Sequence, residues 1–183
     1  PNHYAELYDR IARETWQKQI FGASMRNDAP YPIEDPVNVN KRRLELDLPE
    51  PIEIYAYYHG IEYKVPNAEE SKAELKLAYK NAQNHYTKFE KFAKKKNIDS
   101  ANVHISKGIS FYGDISNKQL YKAAIELAQM NNKRSEHITL RILKVLIWRK
   151  WNERHEILTQ SEFNSLQSKQ EWVKIQELLK MSK

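Results

Sequence analysis

Apolar and polar positions alternate with a different rhythm in each part of this chain. Tyr4, Leu7, Tyr8, Ile11, Trp16 and Ile20 recur near helical spacing, and Gly22 ends the run, so residues 3–21 read as a helix within a first segment, 1–24. The stripe is rich in aromatics and suits a core or a subunit interface. Residues 25–51 break the pattern with Pro30, Pro32, Pro36, Pro49 and Pro51. Each proline lacks an N–H and restricts its predecessor, so Met25 to Val37 is expected to be extended or looped. A connection this long is an arm that wraps a neighbour, a mobile functional loop, or a surface loop pinned by Tyr31 and Ile33.

The next stretch changes to a period of two. Leu44, Leu46 and Leu48 alternate with acids and predict a strand. Ile52 to Tyr58 and Ile61 to Val65 flank His59-Gly60, a pairing that predicts a tight hairpin. In that register Ile52, Ile54, Ala56, Tyr58, Ile61, Tyr63 and Val65 share a core face. Glu53, Tyr55, Tyr57, Glu62 and Lys64 share the outer one.

From Asn67 the period returns to that of a helix. Asn67 can cap, Glu70 completes a capping-box pattern, and Leu75, Tyr79, Ala82, Tyr86, Phe89 and Ala93 form one inward stripe to about Lys96. Residues 101–114 read as irregular or β around Lys107-Gly108. Ser116 with Gln119 marks another capping box. Residues 136–154 predict a helix apolar on most sides, central in a bundle, and Thr159 with Glu162 and Ser168 with Glu171 mark two further helix starts. The expectation is therefore an α+β fold, predominantly helical. It has an N-terminal helix, a Pro-rich arm (25–51), a small antiparallel sheet with a hairpin and a long basic helix (52–114), and a C-terminal helical bundle (115–183). All of this fits one compact domain or one domain with an extension.

Charge sharpens the picture. Residues 72–96 carry eight lysines (72, 76, 80, 88, 91, 94, 95 and 96) against two glutamates, and residues 133–155 carry seven Lys/Arg against two glutamates. The first 53 residues run the other way, with ten acids against seven bases. At 100° per residue, seven of the eight lysines fall within an arc of about 160° away from the inward stripe. Such asymmetry implies a polyanion partner, with DNA or RNA as the expected one. Lys72, Lys76, Lys80, Lys88, Lys91, Lys94 and Lys95 would neutralise phosphates, and Arg141, Lys144 and Arg149 beside Trp148 and Trp151 would form a second patch. Tyr55 and Tyr57 on the outer face of the hairpin would stack on bases. The strand-strand-strand-helix order of 43–96 resembles, in pattern over about 50 residues, the small three-stranded DNA-binding modules of integrase arms. That resemblance implies a sheet inserted in the major groove.

Two further readings compete. The 23–51 arm and the aromatic helix faces suit self-association or docking on a protein partner, as in a structural or assembly subunit of a viral or phage particle. Asp47, Glu53 and Glu62 with Lys64 on the hairpin suit a Mg²⁺-dependent nuclease, in which carboxylates hold the metal and the lysine positions water. Other chemistry finds no support. There is no cysteine, and the four glycines form no phosphate-cradling loop. The six histidines lack zinc-site spacing, and no nucleophile elbow is present. The sequence thus points to a non-enzymatic protein with no catalytic, metal or cofactor set. No apolar run reaches transmembrane length and no signal peptide is evident. The expected setting is intracellular, or within a nucleoprotein particle.

Overall fold

The computed structural model describes residues 2–48 and 50–181; Pro49, one of the arm prolines, lies outside them with Pro1, Ser182 and Lys183. Among the described residues eight α-helices run in chain order: α1 (Asn2–Glu14), α2 (Val39–Glu45), α3 (Ile52–Tyr58), α4 (Ala68–Lys94), α5 (Ile98–Ile109), α6 (Asn117–Ala128), α7 (Lys133–Trp148) and α8 (Gln170–Met181). Short 3-10 turns occupy Pro36–Asn38, Arg154–Leu158 and Ser161–Leu166. Among the described residues there is no strand, and β pairing is confined to the isolated bridges Gln19 with Ile33 and Met25 with Pro30. The expected antiparallel sheet and hairpin are absent, and the fold is helical.

The reason lies in how the helices end. Gly60, at φ +71°, donates its N–H to the Tyr57 carbonyl, and Ile61 donates to Ala56. This is the paired bonding of a Schellman C-cap, closed by contact-forming apolar residues after the glycine. His59-Gly60 therefore terminates α3 and does not turn a hairpin. The alternation of Ile52, Ile54 and Ala56 also contains the helical pair Ile52 and Ala56, and these two are the buried ones. Asn40 secures the start of α3, accepting the Ile52 N–H at 2.8 Å.

The supposed strand at 44–48 ends the same way. Asp47 takes φ +54°, its N–H reaching the Leu44 carbonyl and that of Leu48 reaching Arg43. Leu44 consequently points outward and Leu48 inward. Trp16, Lys96 and Lys150 make the same closure after α1, α4 and α7, all at positive φ. Trp16 stops α1 well short of Gly22. Residues 101–114 are likewise mostly helix. Ala101, Ile105 and Gly108 line the inner face of α5, and Asn97 caps it through the Ser100 N–H.

The two capping boxes form as expected. Asn67 accepts the N–H groups of Glu69 and Glu70 while Glu70 accepts that of Asn67, and Ser116 with Gln119 does the equivalent for α6.

The chain divides into two compact units, Pro1–Lys80 with Phe111–Gly113, and Asn81–Ser110 with Asp114–Lys183. In the first, the apolar centre is small: Ile33, Val39 and Ile52, with Met25, Tyr63 and Val65 against them. Gly22, at φ +67°, allows this packing, since a Cβ there would lie 2.2 Å from Ile52 Cδ1.

Polar bonds do much of the remaining fastening. Asp9 is fully buried and accepts the N–H groups of Ile20 (2.8 Å), Phe21 (3.2 Å) and Ala23 (2.7 Å). The carbonyls of the same segment accept from two neighbouring arginines of α2, Arg42 Nε to Ile20 at 2.9 Å and Arg43 Nη1 to Phe21 at 3.0 Å. Gln19 satisfies Ser24 and Tyr31 in the same manner. The Pro-rich segment is therefore tied into its own unit by these bonds, by the two bridges and by Ile33.

The second unit holds the larger core. α7 is central, as its all-round apolar pattern predicts. Leu140, Ile142, Leu143, Val145, Leu146 and Ile147 are buried, as are Leu120, Ala123, Ala124 and Leu127 of α6. Phe163 and Trp172 fill it from the following turn and helix, with ring centroids 6.1 Å apart.

Candidate nucleic-acid interface

The lysines of α4 are exposed without exception, and so are Lys95 and Lys96 just beyond it. Lys72, Lys76 and Lys80 belong to the first unit and the other five to the second. Among the described residues none of the eight forms an ion pair. In the second unit the geometry is clear. Ala82, Tyr86 and Phe89 are buried, whereas Lys88, Lys91 and Lys95 follow an i, i+3, i+7 spacing centred roughly 150° away around the helix. The nearby acid, Glu90, is engaged elsewhere, accepting from Lys122 Nζ at 2.6 Å. The inward stripe holds for Ala82, Tyr86 and Phe89 but not for Tyr79, which is 57% exposed.

On α7 the second patch is reshaped. Arg141 and Lys144 lie on one outer face with Trp148, which is 49% exposed. Arg134 and His137, exposed and at matching helical angles, extend this strip toward the start of the helix. Arg149 does not join it. Its Nη1 donates to Asn117 Oδ1 at 3.1 Å, and burial pulls its pKa down to about 10. Trp151 is buried against Tyr121, centroids 4.5 Å apart, and is a core residue.

The tyrosines part company once 52–58 is a helix. Tyr57 is 74% exposed. Tyr55 is half-buried, donates its hydroxyl to the Ala23 carbonyl at 3.3 Å and carries the Arg43 guanidinium 5.0 Å from its ring centroid. It is a structural residue. The nuclease constellation dissolves for the same reason. Glu53 sits on α3 bonded to Asn40, Asp47 is the αL residue after α2, and Glu62 and Lys64 lie on no strand. Among the described residues no group of three or more His, Asp or Glu could share a metal ion. Among the described residues there is also no sheet of the kind the integrase-arm resemblance requires.

Two features escape a pattern reading of the sequence. The first is on α1. Its buried face is Ala5, Asp9 and Ala12, while Tyr4, Leu7, Tyr8 and Ile11 are each about half exposed, with Phe21 edge-on to both tyrosines. A single Asp at i+4 from one alanine and i−3 from another was the available signal. The second is a histidine pair: His85 Nδ1 and His104 Nδ1 stand 3.0 Å apart, with the Phe92 ring stacked on His104. Desolvation lowers both pKa values, helped at His85 by His104 and at both by Lys88 and Lys107.

No described helix is long and apolar enough to cross a membrane. Comparison with protein-family models, with curated proteins and with solved structures found no match for this chain.

Proposed function

We propose that this protein binds nucleic acid non-enzymatically, through sequence-independent phosphate contacts, as part of an oligomer or larger assembly. The observation that carries the reading is the exposed, unpaired face of Lys88, Lys91 and Lys95, with Lys94 beside it and its neighbouring acid neutralised. A face of this kind releases condensed counterions when it meets a phosphate backbone. Lys72, Lys76 and Lys80 add cations on the earlier turns of α4. Arg141 and Lys144 with Trp148 supply a second contact of a different kind, because an indole beside cations stacks on unpaired bases.

The test is retention of single- and double-stranded DNA and RNA across a salt series. Lys88→Glu, Lys91→Glu and Lys95→Glu together should weaken binding and reduce the log–log salt slope for duplex by about 2–3, near 0.9 per lost contact. Trp148→Ala should weaken single-strand binding selectively, by about 1–3 kcal/mol. Equal retention of the unaltered protein and the triple variant at low salt would end the reading.

A protein-docking role is the second reading, and α1 favours it. Tyr4, Leu7, Tyr8 and Ile11 form an exposed apolar stripe of the kind that contacts a partner or another copy of the chain. Residues 23–51 are less suited to that task than α1, since Ala23, Ser24, Tyr31, Arg42 and Arg43 are hydrogen-bonded within the first unit.

A further inference from the structure

A cleft of about 630 Å³ opens in the second unit between the Arg154–Leu158 turn and α8. That volume lies within the range of small-molecule sites, roughly 300–1,000 Å³. Its lining sorts by chemistry. Leu158 and Leu179 give an apolar floor, Arg154 and Lys180 supply cations, and Asn152 and Gln176 supply side-chain amides. His155 completes the wall, and no acid lines the cleft among the described residues. Arg154 is held in place by donating from Nη1 to the Trp151 carbonyl at 3.0 Å. Trp151 in turn is fixed in the core against Tyr121. Trp172 and Ile175 of α8, which carries Gln176, Leu179 and Lys180, are buried.

We propose that this cleft binds one nucleoside monophosphate unit, the phosphate on Arg154 and Lys180 and the base over Leu158 and Leu179. Two cations lining one cleft match a phosphate dianion, and charge-assisted hydrogen bonds to it are the strong ones. The flat faces of a base are apolar and suit a leucine floor. The edge of a base carries donors and acceptors, and a carboxamide offers both, so Asn152 and Gln176 can pair with it. An alkyl-chain anion fits less well. It would strip water from two amides without replacing their hydrogen bonds, which costs affinity. The site goes beyond strand binding by the α4 lysines, because a free mononucleotide is recognised without them. The unit itself comes from a free nucleotide or from the phosphorylated end of a strand.

The experiment is an amide ¹H–¹⁵N titration of the full chain with AMP and UMP, beside adenosine, inorganic phosphate, decanoate and a 5′-phosphorylated trinucleotide. Saturable shifts at Asn152, His155, Gln176 and Lys180 with the monophosphates, and weak ones with adenosine or phosphate alone, are expected. Arg154→Gln and Lys180→Gln should each weaken AMP about tenfold or more. The Lys88, Lys91, Lys95→Glu triple variant should keep AMP affinity while losing strand retention, which separates failure of this site from failure of the lysine face. Stronger response to the trinucleotide than to AMP would assign the site to strand ends, and the reverse to free nucleotides. Absence of saturable shifts with any nucleotide, or an equal response to decanoate or inorganic phosphate, would overturn the proposal. Those titrations use the unaltered protein, so they decide the matter even where a variant fails to fold.

Discussion

Replacing Asp9 with alanine should unfold the first unit at markedly lower denaturant. The carboxylate is fully buried and is the acceptor for three backbone N–H groups, those of Ile20, Phe21 and Ala23. Alanine leaves all three without it. An orphaned buried donor costs about 1–3 kcal/mol, so the gross penalty for three is about 3–9 kcal/mol. Part is recovered, because burying the carboxylate is itself unfavourable. Its pKa is raised above 3.8 by desolvation, which outweighs the three N–H groups and the nearby Arg42. A net loss of about 2–4 kcal/mol is expected, a large share of the stability of an ordinary domain. Urea unfolding followed by circular dichroism measures it. Amide exchange at Ile20, Phe21 and Ala23 localises it, and Leu143 in the second unit serves as the internal control. The pH dependence adds a sign. A carboxyl with a raised folded pKa contributes stability that is fully present below its unfolded value and lost as pH rises through the folded one. The wild type should therefore gain on Asp9→Asn as pH falls from about 7 toward about 4. A loss below about 1 kcal/mol in Asp9→Ala, with unchanged exchange at the three amides, would refute the claim that this side chain holds the segment.

The histidine pair titrates in the opposite sense. Both folded pKa values lie below 6.5, so the pair contributes stability above that value and loses it as pH falls through the depressed ones. Between about pH 7 and about pH 5 the wild type should lose stability more steeply than His104→Gln, and parallel curves would contradict the reading. The helix closures make a paired prediction. Gly60→Ala meets nothing within 4 Å, so its cost is backbone strain alone, about 1 kcal/mol net. Lys150→Gly relieves the same strain at φ +52° and should raise the melting midpoint by about 2–4 °C. A fall in that midpoint would show that the lysine side chain contributes more than its backbone conformation costs.

Much of the helical content was legible from residue types and spacing. Caps at Asn67 and Ser116, the central α7 and the inner face of α4 from Ala82 to Phe89 all follow from local rules that tertiary packing leaves intact. The errors cluster where a helix is short. Seven residues such as 52–58 hold less than two full turns, too few to separate a period of two from one of 3.6. Gly60 then fits a hairpin turn and a helix cap equally well, and hydrogen bonds to Ala56 and Tyr57 decide between them. Non-glycine residues at positive φ, Trp16, Asp47, Lys96 and Lys150, gave no local warning of a chain reversal. The lysine face was readable because exposure is the default for lysine. Arg149 and Tyr55 were not, since their partners Asn117 and Ala23 lie 32 residues away in each case.

The clamp around Ile20 to Ala23 also bears on how quickly the first unit forms. Its hydrogen bonds join residues 11, 12 and 14 apart through Asp9, and 22 apart through Arg42 and Arg43. Short separations close with little loss of chain entropy, and chains rich in them fold fast. Asp9, Arg42 and Arg43 all lie before Glu50, so most of the clamp can lock while later helices are still being synthesised, and Tyr55 adds its bond to the Ala23 carbonyl afterwards. Early closure would shield the many polar groups of a proline-rich stretch that has little apolar surface to collapse upon.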